Sequence, residues 1–107
     1  MSVSAKSFPH APHDWDISVA EAVAREDGLT MTEDHWELIK GLQEYYDKAE
    51  FPKLREITDA LEEHFHKQGG MKYLYRIIPG GPVAQGCRLA GLEIPAGAVD
   101  KSFGSVA

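Results

Sequence analysis

Apolar side chains recur at three- and four-residue steps through the middle of the chain, with polar residues on the opposite face. Trp36, Ile39, Leu42 and Tyr46, flanked by Leu38, Tyr45 and Ala49, make the widest stripe and predict a central amphipathic helix. Thr32 is its expected N-cap, because Glu33 and Asp34 then occupy the first turn, where carboxylates favour the positive end of the helix dipole. His35, in the same turn, is placed to assist the cap as a neutral imidazole. Upstream, Val19, Ala20 and Val23 share a face behind a capping box of Ser18 and Glu21, and Gly28 supplies a left-handed stop, which gives a helix over residues 18–27. Downstream, Pro52 suits the start of a third helix, in which Leu54, Ile57, Leu61 and Phe65 form the stripe while Glu56, Asp59, Glu62 and Glu63 face water. Gly69 and Gly70 end it.

Residues 71–78 are apolar enough for a short buried helix or a strand, and eight residues of pattern do not separate the two. Pro79, Gly80, Gly81 and Pro82 break the chain. Pro82 then opens a last short helix to about Ala90, closed by Gly91, with Val83, Cys87 and Ala90 on one side. Residues 1–14, with Pro9 and Pro12 and no periodicity, read as an irregular or mobile arm. Residues 15–92 read as the helical domain. Residues 93–107, with Pro95, Gly97 and Gly104 and few apolar partners, read as a mobile C-terminal arm with an extension. The resulting expectation is a mainly α protein, a small orthogonal helical bundle with a flexible C-terminal arm.

Composition narrows the function classes. With 107 residues, 43% of them apolar, the chain can bury one core, and no apolar run approaches the roughly 18 residues that span a bilayer. No secretory signal pattern opens the chain, so a cytoplasmic protein is expected. The net charge of −6 is unevenly spread. Residues 1–31 carry two basic and five acidic side chains, residues 32–66 four and ten, and residues 67–107 five and two. An acidic body argues against nucleic acid as a partner, and the third helix, with two basic and four acidic residues over 53–65, has the wrong sign for a DNA groove. The basic last third suits an anion or an acidic protein surface, with Lys72, Arg76 and Arg88 as its candidate contacts.

Cys87 is the only cysteine, so no internal disulfide can form, and it is the one strong nucleophile candidate. Two readings stand side by side. A cysteine beside Val83 and Ala90 is commonly a small core residue, and the end of a short helix disfavours a thiolate. Arg76 and Arg88 offset that only if they approach it in space. The histidine pairs His64 and His66, and His10 and His13, make poor metal sites, since residues two apart on a helix point about 200° apart. No metal or organic cofactor is expected.

The segment Leu29-Thr30-Met31-Thr32-Glu33-Asp34-His35-Trp36-Glu37, then Tyr45-Tyr46, then Lys72-Tyr73-Leu74-Tyr75-Arg76, and above all the run from Ile78-Pro79-Gly80-Gly81-Pro82 through Gln85-Gly86-Cys87-Arg88 to Leu92 resemble the DsrC/TusE family of sulfur-relay proteins. The match covers roughly residues 15–99. The resemblance implies a small helical fold with a mobile C-terminal arm. It also implies a cytoplasmic role in which a persulfide passes between proteins, toward tRNA thiolation or in dissimilatory sulfur metabolism. The implied partners are other sulfur-relay proteins or a dissimilatory sulfite reductase. Family carriers place the sulfur-bearing cysteine next to last on the arm, whereas the matching stretch here reads Gly97-Ala98-Val99 and runs on for eight residues. Cys87 matches a second, upstream cysteine found in the branch associated with sulfite reductase. The resemblance thus leaves Cys87 as the sole thiol for a sulfur carrier or sulfurtransferase accessory, with a non-carrier adaptor or regulator as the alternative and a DNA-associated regulator behind both.

Overall fold

The structure, a computed structural model, describes residues 8–95, 97 and 98. Among them are five α-helices and no strand: α1 (Ile17–Asp27), α2 (Glu33–Lys48), α3 (Leu54–His64), α4 (Gly70–Ile77) and α5 (Ala84–Ala90), with a 3-10 turn at His66–Gln68 between α3 and α4. The fold is therefore mainly α, a small helical bundle, as the periodicity predicts. The ambiguous segment 71–78 is helical. None of the described helices is long and apolar enough to cross a membrane.

Several boundaries differ from expectation for local reasons. Asp16, not Ser18, caps α1: its Oδ1 accepts from the Val19 amide at 3.2 Å and from the Ser18 hydroxyl at 2.5 Å. The aspartate stands one residue before the helix, where its carboxylate reaches the free amides, while Ser18 already lies inside it. Pro52 precedes α3 rather than opening it, and Lys53 is the extended cap residue. α3 ends at His64, before the glycine pair expected to stop it, and the Gly69 and Gly70 amides both point at the Phe65 carbonyl, at 3.1 and 2.8 Å, closing the turn into α4, which starts at Gly70. Glu62, assigned to water by the pattern, also reaches across to accept from the Met71 amide at 2.9 Å and so caps α4. Pro82 and Val83 form the turn into α5, although i to i−4 bonding already starts with Gln85 donating to Gly81 at 2.9 Å.

Helix α5 is buried almost all round, packed on α1 and α2, with small Ala84, Gly86, Cys87 and Ala90 among its seven residues. At Gly86 an added Cβ would come within 2.9 Å of Leu42 Cδ1 and 3.2 Å of Leu38 Cδ2, so the missing side chain is what lets α5 sit directly on α2. Gly91 ends the helix at φ 75°, and a Cβ there would meet Trp15 Cδ1 at 2.7 Å. The Trp15 indole donates to the Leu89 carbonyl at 2.7 Å. Around this seam the core is completed by Ile39, Ile57, Leu61, Phe65, Leu74 and Ile78.

Residues 8–14 are irregular, as expected, yet not loose. Phe8 is buried, its ring 5.2 Å from that of Trp15 and 5.9 Å from that of Trp36. At the other end Pro95 is buried and Ala98 packs against the core cluster. The remaining arm positions, residues 1–7, 96 and 99–107, lie outside the described residues, and with them most of the extension for which mobility is expected.

Candidate functional site

Cys87 lies on the inward face of α5 and is 0% exposed. Its thiol donates to the Tyr46 hydroxyl at 3.7 Å, and that hydroxyl donates to the Glu93 carbonyl at 2.6 Å. A chain of two hydrogen bonds thus links the buried thiol to the root of the C-terminal arm. Burial pushes the Cys87 thiol up to about 11, partly offset by Tyr46. Burial, and next the bond to Cys87, push the Tyr46 hydroxyl above its ordinary range too. The local reading of Cys87 as a small core residue describes this closed arrangement. It is a protonated, covered thiol.

Holding that proton has a consequence for stability. The folded thiol titrates above its ordinary 9.0, so its contribution is fully present below pH 9 and is lost as pH rises toward 11. The unfolding free energy should fall there by up to about 1.4 kcal/mol per pH unit, about 2 to 3 kcal/mol in all. Urea unfolding between pH 8 and 11 should show a shallower decline for Cys87→Ala than for the wild type. Parallel curves would show that the thiol contributes nothing to the alkaline loss.

The three basic candidates part company. Arg88, one of the expected anion contacts, is ion-paired within the protein. Its Nη1 donates to both oxygens of Asp27, at 3.0 and 2.9 Å, and its Nη2 to Glu26 at 3.1 Å. The Asp27 side chain is 1% exposed, so this fork ties α5 to the end of α1, with its charge matched inside the protein. Lys72 and Arg76 stand one turn apart on the exposed face of α4, and neither makes an ion pair among the described residues. With Gly69 and Tyr73 they line an open groove of about 470 Å³. Tyr73 donates to Asp34, which fixes one wall.

Three of the histidines act structurally. The Thr32 amide donates to His35 Nδ1 at 3.1 Å, which leaves Nε2 to carry the proton and donate to the Ile77 carbonyl at 2.9 Å. His35 therefore caps α2, as its position predicts, and also pins α4 to it. His10 pairs with Asp47 and His64 with Glu37. No group of three histidine, cysteine or acidic side chains among the described residues could hold a metal ion.

Two residues of the site escape a reading by period alone. Tyr46 counts there only as part of the apolar stripe. Gln43 is buried between turns of the same stripe, its Nε2 donating to the Ala90 carbonyl at 3.0 Å and its Oε1 without a partner among the described residues. The signal was a polar residue in register with an apolar face. Beside Tyr46 a cavity of about 610 Å³ opens between the end of α2 and segment 92–95, with Ala49, Pro52 and Pro12 on its walls. Next to it in sequence Phe51 is 74% exposed.

A family model described as "DsrC like protein" matches residues 1–99. The chain is similar to the sulfurtransferase TusE of Photorhabdus laumondii, 31% identical over 97 residues covering 89% of this chain and 87% of the relative. The sulfurtransferase TusE of Yersinia pestis is 33% identical over 84 residues, covering 77% of each chain. Among solved structures, the NMR structure of Allochromatium vinosum DsrC matches at 39% identity and a TM-score of 0.69, covering 91% of this chain and 88% of that one.

Proposed function

The chain belongs to the DsrC-like family, a family of sulfur-relay proteins, and from that premise we propose that it relays sulfur in the cytoplasm through Cys87. The observation that carries this reading is the hydrogen-bonded chain from Cys87 through Tyr46 to Glu93, because it joins the molecule's single thiol to the root of the C-terminal arm. The usual carrier position on the arm holds Ala98, which has no nucleophile.

Loading at Cys87 needs no cofactor. The thiolate attacks the outer sulfur of a donor persulfide, a new sulfur–sulfur bond forms as the donor's own breaks, and the donor leaves as a thiolate with no net oxidation. Lys72 and Arg76, which make no ion pair among the described residues, are the contact for an acidic face of a relay partner or a sulfite reductase. Arg88 has no part in that contact, since its charge is already matched.

Mass spectrometry after incubation with a persulfide donor should show one added sulfur atom, absent from Cys87→Ser. No mass gain under conditions that load an authentic family carrier would refute the acceptor role and leave a protein that only docks.

A further inference from the structure

We infer that the outer side of α4 docks an acidic segment of a partner protein, whose carboxylates meet Lys72 and Arg76 while a neighbouring apolar side chain enters the groove that holds Ala98. The inference deepens the reading of Lys72 and Arg76 as the contact for an acidic partner, and rests on it.

The helix period sorts the outer side of α4 into two rows. Lys72 and Arg76, four residues apart, make a basic row, and Met71 and Tyr75, also four apart, make an apolar row beside it. Leu74 is fully buried on the side opposite Lys72 and Arg76, and the apolar row lies on the flank between. Each row lines its own open groove. The basic row borders the groove of about 470 Å³ with Tyr73, and the apolar row borders the groove of about 380 Å³ in which Ala98 lies. A segment laid across α4 therefore touches both. The arm belongs to the same surface, because the Ala98 amide donates to the Pro95 carbonyl at 3.1 Å in a turn that sets Ala98 beside Met71 and Tyr75.

The fold leaves both rows open to a partner. Tyr75 is 51% exposed. The acids that reach α4 serve other groups, Glu62 accepting from the Met71 amide and Asp34 from the Tyr73 hydroxyl. Two positive charges, with no ion pair among the described residues, thus stand on a chain of net charge −6. That local reversal of sign selects an acidic occupant. Protein fits better than nucleic acid, since two cations on an acidic body fall short of the several phosphate contacts that hold a strand, and an apolar row gives phosphate nothing. Tyrosine and arginine side by side are also the residue types that carry binding energy between proteins.

A random peptide library displayed on phage, selected on the full chain and counter-selected on the Lys72→Glu, Arg76→Glu double variant, tests the surface. Enriched peptides should combine two or more carboxylates with a large apolar side chain. Their affinity should fall about tenfold on the double charge reversal, and wild-type binding should weaken between about 0.05 and 0.3 M NaCl. Tyr75→Ala should weaken binding about fivefold or more, and so should Ala98→Trp, which fills the apolar groove from a position outside the helices. Acidic peptides that need Lys72 and Arg76 but are indifferent to Tyr75→Ala or Ala98→Trp would keep the charged contact and overturn the two-row surface. Selection without acidic peptides would remove both. Tighter binding of a single-stranded RNA oligonucleotide, lost on the same charge reversal, would assign the basic row to phosphate and overturn the inference as well. Titration of the selected peptides against Cys87→Ser separates docking from sulfur transfer. Wild-type affinity in that variant supports the surface whether or not Cys87 takes up sulfur, and loss of binding there would place the peptide elsewhere and overturn it.

Discussion

Asp27→Ala should lower the unfolding free energy by about 3 to 5 kcal/mol, because it leaves an arginine fork without its carboxylate in a mostly covered site. The Asp27 carboxylate is the hub of a network. It accepts from Arg88 Nη1 through both oxygens and from Gln85 Nε2 at 3.0 Å, and the Gln85 carbonyl oxygen in turn accepts from the Gly80 amide at 2.9 Å. One side chain therefore joins the end of α1, the turn over residues 79–82 and both exposed and buried sides of α5. The Arg88 side chain is 27% exposed, so water relieves only part of the loss. Glu26 is the internal comparison. Its bond to the same guanidinium is 3.1 Å, but its own side chain is 73% exposed, and Glu26→Ala should cost less than about 1 kcal/mol. Urea titration of both variants at pH 7 measures the contrast, and equal losses would mean that α5 is held by packing alone. Because α5 carries Cys87, Asp27→Ala should also raise the rate at which that thiol is alkylated.

The sequence made the helices legible wherever a local rule and the apolar period agreed. Thr32, Glu33, Asp34 and His35 placed the start of α2 correctly, because cap, dipole and stripe all point to one residue. At α1 the capping-box motif at Ser18 was less informative than the position of the free amides, which Asp16 reaches. The role of Arg88 was hidden for a different reason. Its partner Asp27 lies 61 residues away, and no period along the chain pairs the end of α1 with α5. Lys72 and Arg76, one turn apart on α4, needed only the helix period to fall on one face. The state of Cys87 was left open by its neighbours Val83 and Ala90, since burial is set by the contact of α5 with α1 and α2. Tyr46 looked like any aromatic on a stripe. Its hydroxyl acquires meaning only from the two groups, at positions 87 and 93, that the fold brings to either side of it.

Replacing Ala98 by cysteine, with the chain ended after Val99 so that the new thiol stands next to last, should create a sulfur acceptor about 100-fold faster than Cys87 at pH 7.5. Ala98 is half-buried in an open groove of about 380 Å³ between Leu54, Thr58, Met71, Tyr75 and the turn into α5. A thiol there needs no segment to move and has an ordinary tendency to ionise. Cys87 is held back along either route. While covered, with its proton retained to about 11, it ionises about 100 times less at pH 7.5 than a cysteine at its ordinary 9.0. To react uncovered it must first loosen the packing of α5 on α1 and α2, and about 2.7 kcal/mol of opening would hold the open fraction near one in a hundred. The comparison is clean in Ala98→Cys combined with Cys87→Ser, which carries one thiol in a new place, against the wild type, which carries one thiol in the old. Single-turnover loading from a persulfide donor gives both rates. Equal rates would mean that Cys87 is not restrained by its cover, and failure of the new thiol to load at all would mean that this face of the molecule does not receive a sulfur donor.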